Sequence, residues 1–417
     1  MTMIKYILQL CFFTLAITSI PACSLLEIGK QSTQLERLPS VSGTIELNND
    51  NKPIYVMLLK QSSIELEVIN QVMVNDKGEY NFNVLPDNYT IMAYVDDNKN
   101  AKKETNERFS FYGGEEENGG RNIPVKSGEH IKLEIFAVND ELIDLGESQI
   151  SDHSYEYQRN IGKVISLDSP IFAVENAKLG LWKPITFLST IGGGLFMLQD
   201  FEVGKTPIIF VHGILGNPTE FSKMIESVDR EKYQPWVYYY PTGVQLDLIS
   251  DYLLTSLNQL QNEYGFTNIN LITHSMGGLM SRSFLMQHEQ ENSNFDVSFY
   301  MTINSPLYGM KSARAGVNSS PIIIPSWRDL ATGSDFIKKV HNWHVPQEVN
   351  YHLVFSYLEG EEGDGVVPMN SQLSLSLQQE ADNIYGFPSQ HAEILHNEAF
   401  IKLFNKLLIA DSTSLIK

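Results

Sequence analysis

The segment Asn268-Ile269-Asn270-Leu271-Ile272-Thr273-His274-Ser275-Met276-Gly277-Gly278-Leu279-Met280 constrains this chain more than any other. Its first half is a short apolar run that reads as a buried strand, and its second half reads as the start of a helix. A strand can pass so abruptly into a helix only through a strained corner residue, and here the corner is Ser275. Such a turn lifts the serine hydroxyl above the end of a sheet. Small residues two before and two after the serine let strand and helix approach closely. Gly277 supplies the second, whereas Thr273 puts a larger side chain at the first. A pentapeptide of this kind says little alone, and the flanking strand and helix give it weight.

From Thr206 onward, apolar strands alternate with helical stretches, the pattern of a mostly parallel sheet flanked by helices. The predicted strands are Pro207–Val211, Trp236–Tyr240, Ile269–Thr273, Val297–Ile303 and Tyr351–Tyr357, with amphipathic stretches at Thr219–Val228, Leu246–Glu263 and Met276–His288. Residues 306–348 form a long insertion between two strands, expected to act as a cap over an apolar site. Gly192-Gly193-Gly194 reads as a turn, since it lacks the following Lys and the spacing of a phosphate cradle. The run Trp236-Val237-Tyr238-Tyr239-Tyr240-Pro241 reads as a core strand.

Attack of a serine on an acyl carbon develops an oxyanion that needs preorganised N–H donors, each worth about 3 kcal/mol. Met276, directly after the serine, supplies one. The early strand Pro207-Ile208-Ile209-Phe210-Val211 ends in His212-Gly213-Ile214-Leu215-Gly216, and Ile214 is the expected second donor. His212 reads as a brace for that loop. His341 and His344 have metal-like spacing but no third ligand nearby, so a place on the surface of the cap is expected for them.

The segments VHGILGNP and NLITHSMGGLMSR resemble the bacterial true lipases and related esterases of the α/β-hydrolase superfamily. Met301-Thr302-Ile303-Asn304-Ser305-Pro306-Leu307-Tyr308-Gly309 and Asp329-Leu330-Ala331-Thr332-Gly333-Ser334-Asp335-Phe336-Ile337 extend the similarity, which runs from Thr206 to the C-terminus. Leu307 stands where many such lipases have a non-catalytic His. The resemblance implies an α/β-hydrolase fold whose nucleophile, acid and base follow in that order along the chain. Ser275 is then the nucleophile. Asp364 is the acid, in the glycine turn Gly363-Asp364-Gly365-Val366-Val367-Pro368. His391 is the base, on the loop after the predicted last strand Asn383-Ile384-Tyr385-Gly386-Phe387 and ahead of the apolar pair Ile394-Leu395. His396 reads instead as a loop or capping residue. The implied reaction is hydrolysis of a carboxylic ester or lipid substrate through an acyl-enzyme, with no cofactor and no metal. The alternatives are acyl transfer, thioester or amide cleavage on the same residues, or a non-catalytic surface binding protein.

The N-terminal half reads differently. Residues 1–22 have signal-peptide grammar, with Lys5 ahead of an apolar run from Tyr6 to Ile17. Ile20-Pro21-Ala22-Cys23 resembles the lipobox of bacterial lipoproteins, which implies cleavage before Cys23 and a diacylglycerol on its thiol. Cys11 and Cys23 are the two cysteines of the chain, so cleavage leaves a single thiol and no intramolecular disulfide. Each buried methylene of an acyl chain contributes about 0.8 kcal/mol, enough for stable anchoring by two or three chains. Ser24, rather than Asp, after the cysteine points by analogy with lipoprotein sorting to the cell envelope, and to the outer membrane in a Gram-negative cell. Residues 23–37 show no periodicity and are expected to be a tether.

Residues 38–140 carry short β-like runs punctuated by turns, as in a small antiparallel sandwich. Gly78-Glu79-Tyr80-Asn81-Phe82 and Leu85-Pro86-Asp87-Asn88-Tyr89 resemble the carboxypeptidase-regulatory-like or prealbumin-like modules of secreted proteins, which implies an accessory role. Asp96, Asn98, Asn100, Glu104 and Glu107 have the offsets of a calcium loop, but Ala101 stands where that loop needs Gly, so a polar turn is expected. Residues 141–205 read as a bridge to the catalytic region, 206–417. The net charge of −20 disfavours nucleic acid and gives no electrostatic help on anionic lipid.

Overall fold

The computed structural model describes residues 22–47, 52–61, 66–114, 120–139, 150–151, 160–291 and 293–414. The expected signal segment lies outside these residues, apart from Ala22. The first element is helix α1 (Ala22–Glu36), where a tether was expected. Its buried positions, Ile28, Gln31, Ser32 and Leu35, fall at one-face helical spacing, but two of the four are polar, so the apolar period is absent from the sequence. Those polar groups are bonded. The Gln31 Oε1 accepts from the N–H groups of Ile185 and Thr186 at 3.1 and 3.2 Å, and the Ser32 hydroxyl donates to the Ile323 carbonyl. Arg328 pairs with Glu36 at 2.7 Å at the helix's far end.

Strands β1 (Ser40–Glu46), β2 (Ile54–Gln61), β3 (Leu66–Met73), β4 (Glu79–Asn83), β5 (Asp87–Val95), β6 (Phe109–Phe111), β7 (Ile123–Val125), β8 (His130–Lys132), β9 (Phe136–Ala137) and β10 (Ile150–Ser151) follow. They form two sheets, one in the order β4-β1-β8 and one in the order β10-β3-β2-β5-β6. Val41, Ile45, Tyr80 and Phe82 of the first meet Val56, Leu58, Ile91 and Ala93 of the second in a shared core. The pairing is not wholly antiparallel, because β1 runs parallel to both β8 and β9. In the loop after β5, the Asp96 carboxylate accepts from the N–H groups of Asn100 and Ala101, and Glu107 accepts from those of Asp97 and Glu104. These carboxylates therefore brace their own turn.

The second unit comprises α2 (Val174–Trp182), α3 (Pro184–Thr190), β11 (Gly194–Met197), β12 (Thr206–Val211), α4 (Ser222–Ser227), β13 (Tyr233–Tyr239), α5 (Leu246–Tyr264), β14 (Asn268–His274), α6 (Met276–Glu291), β15 (Asp296–Ile303), α7 (Lys311–Ser319), α8 (Pro325–Leu330), α9 (Asp335–Asn342), β16 (Asn350–Ser356), α10 (Met369–Gln372), α11 (Leu375–Glu380), β17 (Asn383–Phe387) and α12 (Glu398–Ser414). Its sheet runs β11-β13-β12-β14-β15-β16-β17, parallel throughout except for the edge pair β11-β13. Residues 160–205, expected to be a bridge, are thus part of this body. Gly194-Leu195-Phe196-Met197 is too short to stand out as a strand, yet all four residues are buried. Two apolar layers sandwich the sheet. Helices α5 and α6 cover one face, and α4 with α12 covers the other.

His352 of β16 lies within the second layer, 2% exposed and 4.6 Å from the Phe299 ring, and neither ring nitrogen has a hydrogen-bond partner among the described residues. Burial lowers its pKa from 6.5 to about 4, against an opposing pull from Asp382. The unfolded chain therefore binds the proton first, and stability falls as pH drops from 6.5 through about 4, by roughly 3 kcal/mol at most. His352→Phe should flatten that loss. Urea unfolding at each end of the window, followed by tryptophan fluorescence, reads it directly, because Trp182, Trp236, Trp327 and Trp343 all lie in this unit. An unchanged pH dependence would refute the assignment.

Candidate active site

Strand β14 ends at His274 and helix α6 begins at Met276, leaving Ser275 alone at the corner with φ of 53°. A non-glycine residue there is strained, and the surroundings hold it in place. Its N–H donates to the Ile303 carbonyl at 2.9 Å. A Cβ on Gly277 would lie 2.6 Å from the Val211 carbonyl oxygen and 2.7 Å from that of His212, so only glycine allows α6 to approach β12 this closely. Thr273 fits where a smaller residue was expected because its hydroxyl donates to the Met301 carbonyl at 3.0 Å and so is not left unpaired in the core.

Two later loops converge on the Ser275 hydroxyl. The Nε2 of His391 lies 2.9 Å from Ser275 Oγ, and its Nδ1 lies 2.7 Å from Asp364 Oδ2. Asp364 is 1% exposed. Its other oxygen accepts from the N–H groups of Val366 and Val367 at 2.9 and 2.7 Å, which fixes the carboxylate within its turn. With Asp364 as acceptor, the neutral His391 ring carries its proton on Nδ1 and leaves Nε2 free to accept from the serine. Burial lowers the pKa of His391, although the hydrogen bond it donates to Asp364 raises it in part, and the neutral form is the one that can take a proton. His396, exposed and at the end of a short 3-10 turn, does not join this group.

The loop after β12 passes directly over the serine. A Cβ on Gly213 would lie 2.6 Å from Ser275 Cβ and 3.1 Å from its Oγ, so the backbone runs against the hydroxyl. The N–H groups of Ile214 and Met276 make no backbone hydrogen bond among the described residues. Met276 is the first residue of α6, where intrahelical acceptors are lacking. His212, fully buried, braces the loop. It stacks on Tyr240 at 4.3 Å, its Nδ1 bonds the Gly213 carbonyl at 2.9 Å, and the Tyr240 hydroxyl donates to the His212 carbonyl at 2.5 Å. Tyr240, the residue after β13, thus ties the aromatic strand to the loop over the serine through His212.

Sequence reasoning passed over three further residues. The His391 carbonyl accepts from Asn304 Nδ2 at 2.9 Å and faces His274 Nε2 at 3.1 Å. His274 Nδ1 in turn faces Glu220 Oε1 at 3.2 Å, and that oxygen also accepts from the Gly213 N–H at 3.4 Å. His274 stands in the pentapeptide itself, whereas nothing in the sequence around Glu220 marks it out.

The 306–348 insertion forms α7, α8 and α9. Arg282 of α6, 1% exposed, clamps its end by donating to the carbonyls of Val340 and Trp343 at 3.0 and 2.8 Å and by pairing with Glu380 at 2.9 Å. Ile28 of α1, Ile324 and Trp327 share an apolar cluster with Ile214, so the N-terminal helix, the insertion and the loop over Ser275 are packed together. His341 bonds Ser376 at 2.8 Å, and the His344 side chain is exposed.

These features are those of an α/β-hydrolase, and the fold is of that class: a sheet parallel but for one edge strand, with a serine on a strand-to-helix elbow. Residues 243–410 match the model of a family described as "Alpha/beta hydrolase of unknown function (DUF915)". Lysosomal thioesterase PPT2-B of Xenopus laevis is 26% identical over 180 residues, covering 39% of this chain and 58% of that protein, so the chain spans less than two thirds of that relative. Among solved structures, the mature lipase BlEst2 of Bacillus licheniformis is similar at 20% identity and a TM-score of 0.42, covering 51% of this chain and 97% of that one. Lipase B of Aspergillus fumigatus is similar at 16% identity and a TM-score of 0.39, covering 51% and 55%.

The close approach of Gly213 to Ser275 makes a direct test available. Gly213→Ala should push the loop and the Ile214 N–H away from the serine, and fluorophosphonate labelling of Ser275 should slow by about tenfold or more. The thermal midpoint should fall by a few degrees, as overpacking a buried contact costs about 1–3 kcal/mol. Labelling at the wild-type rate would show that the loop plays no part in receiving the oxygen of the attacked phosphorus.

Proposed function

We propose that this protein is a lipid-anchored serine hydrolase that cleaves carboxylic esters through an acyl-enzyme. The observation that carries the reading is the single hydrogen-bonded chain from Ser275 through His391 to Asp364, beside the backbone N–H groups of Ile214 and Met276. His391 takes the serine proton as Oγ attacks the ester carbonyl, and the bond to Asp364 stabilises the imidazolium that forms. The two N–H groups receive the oxyanion. The imidazolium then gives its proton to the leaving alkoxide, the ester C–O bond breaks, and the acyl group remains on Ser275. Water, deprotonated by the same ring, releases the acid and restores the serine. Thioesters present the same carbonyl to the same residues, and the likeness to a lysosomal thioesterase favours them as the second reading.

Ser275→Ala should lower hydrolysis of p-nitrophenyl esters by several orders of magnitude, and His391→Ala should do the same while His396→Ala costs little. Turnover at the wild-type level in Ser275→Ala would end the assignment. A panel of short to long acyl esters, thioesters and phospholipids then separates the two substrate readings.

The anchor belongs to the same proposal. Cys23 is the second residue of α1, so acyl chains on its thiol would hold the membrane at the start of a helix that is docked beside the insertion. Cys23→Ala should move the protein from the membrane fraction, the outer membrane in a Gram-negative cell, to the soluble one. If wild type takes up no labelled palmitate, the anchor is excluded.

A further inference from the structure

His274 sits beneath the site, 3% exposed, with its ring centroid 4.8 Å from that of His391. Both of its ring nitrogens face acceptors. Nδ1 faces a Glu220 carboxylate oxygen at 3.2 Å, and Nε2 faces the His391 carbonyl at 3.1 Å. A neutral imidazole has one N–H and can satisfy only one of these, whereas the imidazolium satisfies both. The carboxylate supplies the matching negative charge. Its side chain is 20% exposed, and burial works against its ionised form, but the hydrogen bond and charge of His274 outweigh that and lower its pKa.

We infer that His274, held as an imidazolium by Glu220, is a positioning residue for the Ser275–His391–Asp364 group, fixing the His391 backbone and disfavouring a second proton on the His391 ring. The inference rests on the proposed hydrolase reading. The titratable groups near His274 are Glu220 from the turn after β12, His212 directly after β12 and His391 from the loop after β17, with the edge of Phe221 also against its ring. Among them His274 brings positive charge close to His391, with the Glu220 carboxylate on the other side of the His274 ring. A cation at that distance in a buried site opposes protonation of the neighbouring ring. Burial lowers the pKa of His391 first, and the His274 charge acts in the same direction against the two carboxylates. Glu220 also holds the Gly213 N–H at 3.4 Å, so one carboxylate links the loop over the serine to the loop that carries the base.

The test is the pH dependence of Ser275 labelling by a fluorophosphonate, read by intact mass, in wild type, Glu220→Gln, Glu220→Asp and His274→Gln. Glu220→Gln keeps the shape and a hydrogen bond but removes the charge pair. The acid limb of its labelling profile should move to higher pH by about half a unit or more, with the maximal rate about tenfold lower. His274→Gln should shift the limb in the same direction, and Glu220→Asp should restore the wild-type midpoint. A purely structural role would lower the plateau or the thermal midpoint and leave the limb in place, and that result overturns the inference. A second measurement needs no active variant. Ring ¹⁵N NMR of wild type at neutral pH should show protons on both nitrogens of His274, assigned by their loss in His274→Gln, and a single-proton tautomer there overturns the charge argument. Absence of labelling in wild type would instead sink the hydrolase reading, while the NMR result would still stand or fall alone.

Discussion

The close approach of β12, β14 and α6 at Ser275 is the constraint on which the site depends. A left-handed backbone at a serine costs about 1–3 kcal/mol, and it persists only because its neighbours leave no alternative. The Ser275 N–H is committed to Ile303, and Gly277 lets the helix press on the carbonyls of Val211 and His212. The same contact brings Gly213 against the Ser275 side chain. One strained residue therefore sets both the position of the hydroxyl and the path of the loop above it. The Met276 N–H makes no backbone hydrogen bond among the described residues for the same reason, since it opens a helix directly after the corner.

The second dependence is electrostatic. Asp364, His391, His274 and Glu220 lie in a region where water is largely excluded, and charge acts more strongly there than at a surface. Each is held by backbone donors or by its neighbour: Asp364 by Val366 and Val367, His391 by Asp364 and Asn304, and Glu220 by Gly213 and His274. A site fixed in this way would spend little reorganisation as charge moved from Ser275 to an acyl oxygen in the proposed hydrolysis. The clamp of Arg282 on the insertion and the docking of α1 beside Ile214 extend the rigidity outward.

The parallel sheet was legible in the sequence because its buried strands are continuous apolar runs, and the elbow because strand and helix periods meet at Ser275. The sequence order of Ser275, Asp364 and His391 pointed to residues that the fold brings into contact over long separations. What escaped did so for identifiable reasons. Helix α1 hid because Gln31 and Ser32 occupy its buried face and are satisfied by the α3 N–H groups and the Ile323 carbonyl, which no periodicity can reveal. The body's first residues, 160–205, hid because the edge strand β11 is four residues long. Glu220 hid because its contacts, with the His274 ring and the Gly213 N–H, are created by the fold.

The most direct test of the central claim is a crystal structure of the protein after reaction with a phosphonate ester. The account predicts a covalent bond from Ser275 Oγ to phosphorus, with the phosphoryl oxygen within hydrogen-bond distance of the Ile214 and Met276 N–H groups and His391 still bonded to Asp364. A phosphonate attached elsewhere, or an oxygen on Ser275 that points away from both N–H groups, would contradict it.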